Sequence, residues 1–361
     1  MGPVMKRPAH GGGVDRAAQE LNLPREQILD FSASINPQGV PATVRLALDQ
    51  ALERIADYPQ IDANSLRHAL ANHHDLPPEC LLPGSGSTEL IYLLPRALKP
   101  RRAVIVEPAF SEYAPALQQA GCVVDRFALD PADRFRFDSE ALIDSLHPEV
   151  DLVWLANPGN PSGVGIDPDQ LRCLAMKLGA RRLIIDEAFV DFSPELSLID
   201  AVLERDNLII LRSMTKFYAI PGLRVGYLAG PPKDVAVLAA GRLPWALSGL
   251  AIAAAEACLW DSEYRRRSLD ELDCLRDQLE TGLQPLAEEI YPSRANYLLL
   301  RLHASGPGSR DLCRRLRGKG ILLRNCCDFY PLDDRYLRVA VRTADENRRL
   351  VDALIAEVAH G

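Results

Sequence analysis

The sequence predicts an α/β fold, a mostly parallel sheet covered on both faces and followed by a smaller α+β unit. Three observations carry this. Between about residues 80 and 230, short apolar runs alternate with stretches of helical periodicity. The runs are continuously apolar rather than alternating, as strands buried on both faces require. Beyond residue 260 the order becomes long helix, strand, helix, strand, helix.

Taken in order, residues 42–56 carry Val44, Leu48, Leu52 and Ile55 at helical steps and predict an amphipathic helix. "STELIYLLPRAL", "SEYAPALQQAG" and "DPDQLRCLAMKLG" also have helical spacing, with Ser or Asp near their starts and Gly closing two of them. Between them, "AVIVEP" (103–108), "CVVDRF" (122–127), "LVWLANP" (152–158), "RLIIDEAF" (182–189) and "NLIILRS" (207–213) read as buried strands. Residues 262–283 set Leu269, Leu272, Leu275, Leu279 and Leu283 on one helical stripe. "NYLLLRL" and "YLRVAVR" then read as strands, and "RDLCRRLRGKG" and "DENRRLVDALIAEVA" as helices. "HASGPGSR" is the clearest flexible connection.

A chain of 361 residues exceeds one small core, so two domains are the expectation. Its 41 basic and 49 acidic side chains give a net charge of -8, against a binder of nucleic-acid backbone. No stretch reaches the ~18 continuous apolar residues of a membrane span. The start, "MGPVMKRPAHGGG", lacks the apolar core of an export signal, so a cytoplasmic location is expected. Eight cysteines are scattered without a CxxC pair or a Cys/His spacing that fits zinc, so no metal is expected. They read as buried apolar groups in a reducing compartment, with the neighbours Cys326 and Cys327 the pair to watch for reactivity.

Parallel sheets bind ligands at the carboxyl ends of their strands. After successive apolar runs come Phe110, Asn157, Asp186, and then Ser213 through Lys216. Taken alone, Lys216 reads as well as a surface-turn lysine. If buried, its amine loses hydration and becomes a nucleophile for carbonyls. Ser213, Thr215 and Arg224 are of the types that surround a phosphate. "PGSGSTELIYLL" offers a second phosphate element or a plain helix cap, and it is neither a P-loop nor a dinucleotide fingerprint. Asp186 ends a wholly apolar strand, where a carboxylate needs a cationic partner such as a pyridinium nitrogen. Asn157 could donate to a phenolate oxygen or simply hold its Asn-Pro-Gly turn, and Phe110 could stack on a ring or fill the core. Together the set matches pyridoxal 5'-phosphate (PLP).

On "NPGNPSG", "DEAFVDF" and "SMTKFYAIPGLRVGY", in that order and spacing, the chain resembles the fold-type-I PLP enzymes, in the branch containing histidinol-phosphate aminotransferase. The resemblance implies the aspartate aminotransferase fold, with a mostly parallel seven-stranded sheet in a large domain and a small α+β domain. It implies Lys216 as the amine that condenses with the cofactor, Asp186 at the ring nitrogen, Asn157 at the ring hydroxyl and Phe110 stacked on the ring. Gly86, Ser87, Thr88, Ser213, Thr215 and Arg224 would surround the phosphate. Tyr58, in "DYPQ", would reach that phosphate from a partner subunit, implying a homodimer with shared sites. Arg338, in "YLRVAV", would grip the substrate carboxylate.

"HGGGVDRAAQELNLPREQILDFSASINPQGVP" and "GILLRNCCDF" are further similar to the L-threonine-O-3-phosphate decarboxylases of cobalamin biosynthesis. Those aminotransferases usually read Asp-Glu-Ala-Tyr where this chain has Phe189, and the decarboxylases carry Phe there. The implied substrate is a small phosphorylated amino acid, with His10, Asn36, Arg324, Arg338 and Arg349 as candidate ligands. Decarboxylation and transamination share one electron sink, so these residues leave the two chemistries open. The expected organisation is an arm over 1–40 belonging to the small domain, a large PLP-binding domain over 41–260 and the small domain over 261–361.

Overall fold

The structure, a computed structural model, describes residues 11–359. Its strands are β1 (Leu29–Asp30), β2 (Leu81–Gly84), β3 (Arg102–Glu107), β4 (Val123–Ala128), β5 (Leu152–Ala156), β6 (Arg182–Asp186), β7 (Leu208–Ser213), β8 (Gly226–Ala229), β9 (Ala287–Ile290), β10 (Tyr297–Leu302), β11 (Ile321–Leu322), β12 (Arg324–Asn325) and β13 (Tyr336–Ala340). A seven-stranded sheet runs in the order β2-β8-β7-β6-β5-β3-β4. β3 through β7 are mutually parallel, and β8 lies antiparallel to both of its neighbours.

Helices cover both faces, so alternate side chains of the central strands enter two separate cores. Val153 and Leu155 of β5, Leu183 and Ile185 of β6, and Leu208 and Ile210 of β7 join one core. Trp154, Ile184, Ile209 and Leu211 join the other. This is why these three strands carry no polar residue before their ends.

Three strands differ from expectation. "CVVDRF" is the sheet's edge rather than a buried strand: Val123 is 53% exposed, and Asp125 pairs with Arg102. An edge strand meets solvent along one side, so its charged residues are only partly desolvated. β2 and β8 gave no apolar run long enough to predict them. β2 holds Pro83, which is tolerated because β2 is the other edge.

The strand order sets the position of a crevice. From β3 the chain moves outward to β4, but from β5 it moves the opposite way to β6 and β7. At such a switch point the loops leaving β3 and β5 diverge and open a space at the strand ends.

The helix Ser262–Leu283 appears with its predicted bounds. It leads into an antiparallel sheet, β12-β13-β10-β9, with the helices Ser309–Arg317 and Ala344–Ala359 following the predicted order. β1 pairs in parallel with β11, which ties the chain's early residues to its late ones. From there residues 31–36 cross to the Lys216 turn: Phe31 accepts from the Ala340 amide at 3.0 Å, and the Asn36 amide donates to the Lys216 carbonyl at 3.0 Å. Among the described residues, no helix is long and apolar enough to cross a membrane.

Candidate active site

At the carboxyl ends of β3, β5, β6 and β7 lies a cavity of about 300 Å³. Its walls come from the loops after those strands, from residues 32–35, and from the antiparallel sheet through Arg324 and Arg338.

Lys216 lies in the helical turn Met214–Phe217 directly after β7, and its amine enters the cavity. Nζ donates to Ser213 Oγ at 2.9 Å and stands 5.7 Å from the centre of the Phe189 ring. Burial pulls its pKa down to about 8, against the opposing pull of Asp186 and with help from the charges of Arg224 and Arg338.

Asp186 also faces the cavity. Oδ2 accepts from the Tyr113 hydroxyl at 2.6 Å, and Oδ1 from the Ala188 amide at 2.9 Å. Burial pushes its pKa up; the Tyr113 hydrogen bond is the largest influence holding it down, followed by the charge of Lys216.

The Gly-Ser-Gly-Ser turn opens the helix Gly86–Leu98, whose residues Ser87 and Thr88 line the cavity. Gly86 has φ +74°, and a Cβ there would lie 2.5 Å from the NH2 nitrogen of Arg224. The glycine therefore allows both the turn and the approach of the guanidinium. Arg224 lines the cavity and also bonds the Pro221 carbonyl at 3.1 Å. Ser213 and Thr215 stand just behind the wall, their hydroxyls 2.9 Å apart. Phe110 lines the cavity and meets Tyr113 edge-on at 5.8 Å.

Three of the candidate residues stand outside the cavity. Asn157 is fully buried behind Ala156 and Pro158, its amide nitrogen bonded to the carbonyls of Ile166 and Leu196, each at 3.2 Å. Its donors are engaged by the backbone, so it holds the turn and does not line the cavity. Asn36 likewise bonds protein rather than lining the cavity, donating to Phe217 O at 2.8 Å and Ser268 Oγ at 2.9 Å. Arg349 is exposed on the helix Ala344–Ala359, outside the cavity. His10 lies outside the described residues. Tyr58 is 86% exposed beside Trp245, away from this chain's cavity.

Arg324 and Arg338 do line it, each with only 7% of its surface exposed. Arg324 bonds Asp328 at 2.8 Å and lies over the Phe329 ring. Arg338 bonds the Ser32 carbonyl at 3.0 Å and Asn160, lies over Tyr297, and keeps a buried Nε without a partner. Of the two neighbouring thiols, Cys326 is buried and pushed up to about 12, as in an inert core cysteine. Cys327 accepts from Arg310 at 3.1 and 3.2 Å.

Sequence reasoning missed Tyr113, Asn160, Ser34 and Ser111. Among the described residues, the hydroxyls of Ser34 and Ser111 are buried at the cavity wall without partners. Tyr113 stands three residues after Phe110, a spacing that could have marked it, but its stretch read only as helix.

The chain belongs to the class I and II aminotransferase family, whose model matches residues 26–354. Within that family, it is 42% identical to the threonine-phosphate decarboxylase of Salmonella typhimurium, over 96% of this chain and 95% of that protein. It is 31% identical, over 97% of its own length and 41% of the other's, to an adenosylcobalamin biosynthesis bifunctional protein of Leptospira interrogans. Among solved structures, the histidinol-phosphate aminotransferase of Clostridium acetobutylicum superposes with a TM-score of 0.86 at 28% identity, covering 92% of this chain and all of that one.

The residues present fit PLP. A buried amine of lowered pKa and a buried acid face one cavity, and an arginine occupies a notch that only glycine leaves open. Two measurements check the fit. Gly86→Ala is expected to displace the Arg224 guanidinium and raise the PLP dissociation constant about tenfold, read by equilibrium dialysis. Condensation of the cofactor-free protein with added PLP is expected to speed up as pH rises through about 8, because below that pH Lys216 is protonated and cannot attack. Stopped-flow absorbance at fixed PLP reads that rate.

Proposed function

We propose that this chain is a PLP-dependent lyase that removes carbon dioxide from L-threonine O-3-phosphate, giving (R)-1-amino-2-propanol O-2-phosphate for cobalamin biosynthesis. The observation that carries the reaction is the full-length likeness to a threonine-phosphate decarboxylase, well above the likeness to the histidinol-phosphate aminotransferase. The cobalamin assignment draws on the Leptospira relative. Phe189 in place of a tyrosine agrees with this reading.

Bound PLP supplies an electron sink for the pair released when a bond at the substrate's α-carbon breaks. Lys216 would condense with its aldehyde, Asp186 would serve its ring nitrogen, and Phe110 would cover the ring. Ser87, Thr88 and Arg224 hold its phosphate, with Ser213 and Thr215 supporting from behind. Arg324 and Arg338 take the substrate's anionic groups, since two buried guanidiniums in one wall need anions to offset their desolvation. Which bond breaks depends on how the site orients the substrate, and on this reading Arg324 and Arg338 would orient it for loss of the carboxylate. Lys216 then delivers a proton to the α-carbon. Its amine has Ser213 Oγ beside it and the Phe189 ring 5.7 Å away.

We further propose a homodimer with shared sites. Leu46, Leu52, Ile55, Tyr58, Ile61, Leu243 and Trp245 are each at least 47% exposed, and Tyr58 packs against Trp245 at 5.3 Å. So much apolar surface in two neighbouring segments favours burial against a second copy.

The protein with L-threonine O-3-phosphate is expected to release carbon dioxide and the phosphorylated aminopropanol without 2-oxoglutarate, and Lys216→Ala to abolish both, as followed by mass spectrometry. A strict need for 2-oxoglutarate would instead make it an aminotransferase. Co-expressed Lys216→Ala and Tyr58→Ala chains are expected to regain activity that neither homodimer has. No regain in the mixed species would sink the shared site.

A further inference from the structure

We infer that Tyr113 is a positioning residue, which holds the Asp186 carboxylate ionised and aimed at the cofactor's ring nitrogen. The inference rests on the PLP reading above.

The geometry is specific. Tyr113 is 1% exposed, and its hydroxyl lies 2.6 Å from Asp186 Oδ2. Its ring is sandwiched, stacked on Trp154 at 4.8 Å with an 18° tilt and meeting Phe110 edge-on. The hydroxyl is thus delivered to one place by packing that the acid does not supply. The Ala188 amide takes the other oxygen at 2.9 Å, so two donors from different elements set the plane of the carboxylate. Each oxygen retains a further lone pair for a ring N–H.

Charge makes this contact more than packing. The groups facing Asp186 are Lys216 from the turn after β7, Tyr297 from β10 and Tyr113 itself; Glu107 acts on Tyr113 from the end of β3. Lys216 favours the ionised acid only while it carries its own proton, and condensation with an aldehyde requires the neutral amine. The tyrosine has no such conflict. Burial and the adjoining carboxylate push its pKa well above 10, so its O–H remains a donor at every working pH. A charge-assisted O–H bond to the carboxylate therefore persists when the lysine's charge is gone.

One short segment does two jobs on this reading. Phe110 presents a ring to the cavity, and three residues later Tyr113 governs the acid at its edge.

The test is Tyr113→Phe, which keeps the ring on Trp154 and removes only the hydroxyl. The PLP dissociation constant is expected to rise about 10- to 100-fold, the span of one hydrogen bond to a charged group. The pH at which cofactor is released on acidification is expected to move upward. Burial raises the acid's pKa and Tyr113 lowers it, so without the hydroxyl Asp186 protonates at higher pH. In an Asp186→Asn background, Tyr113→Phe is expected to add little. An unchanged dissociation constant and release profile would overturn the inference, and so would a full, additive loss in the Asp186→Asn background. If the unmodified protein bound no PLP, the cofactor reading would fall and this inference with it. Binding by the unmodified protein with indifference to Tyr113→Phe would remove the inference alone.

Discussion

A carboxylate and an amine buried at the ends of adjacent strands govern this molecule. Asp186 and Lys216 both leave water on folding, and each is pushed toward its neutral form by burial. Neither is compensated by a close ion pair: the lysine's hydrogen bond goes to Ser213, and the acid's to Tyr113 and Ala188. Such an arrangement is stable only with polar donors arranged around it, and it leaves both groups ready for a ligand that brings a cation to one and an aldehyde to the other.

The same strand ends are polar on their opposite face. Because side chains alternate, Glu187 and Arg212 point away from the cavity where Asp186 and Ser213 point toward it. Arg212 Nε lies 3.3 Å from Glu187 Oε2, and its NH1 donates to Asp191 at 3.1 Å. Glu187 also accepts from the Leu198 amide at 2.7 Å and the Ser197 hydroxyl at 2.9 Å. β6 and β7 are thus braced behind the site by a network that takes no part in the cavity. The Lys216 turn has its own restraints from far along the chain. Phe217 O accepts from Asn36 and from the Tyr264 hydroxyl, and Asn36 also bonds Ser268. Two widely separated segments therefore converge on the backbone beside the lysine.

The two arginines of the far wall follow a related rule. Each guanidinium lies over an aromatic ring, with its remaining donors shared between backbone and a polar side chain. Rings cover their apolar faces and hydrogen bonds fix their orientation, so their free edges face the cavity. Residues 29–36 complete that wall: β1 is held on β11, and the Ser32 carbonyl holds Arg338.

Periodicity and strand-end position made much of this legible. Unbroken apolar runs identified β5, β6 and β7, because the middle residues of strands covered on both faces are apolar. The residues directly after those runs identified Asp186 and Lys216, because a parallel sheet gathers its carboxyl ends on one edge. What sequence alone could not decide was which polar side chains spend their donors on the protein. Asn157 and Asn36 look like ligands in one dimension but spend their amide donors on other parts of the protein, whereas Tyr113 looks like core and reaches the acid. Local pattern records burial and spacing. Hydrogen-bond partners are chosen by the tertiary fold, since only there does a donor on one segment meet an acceptor a hundred residues away.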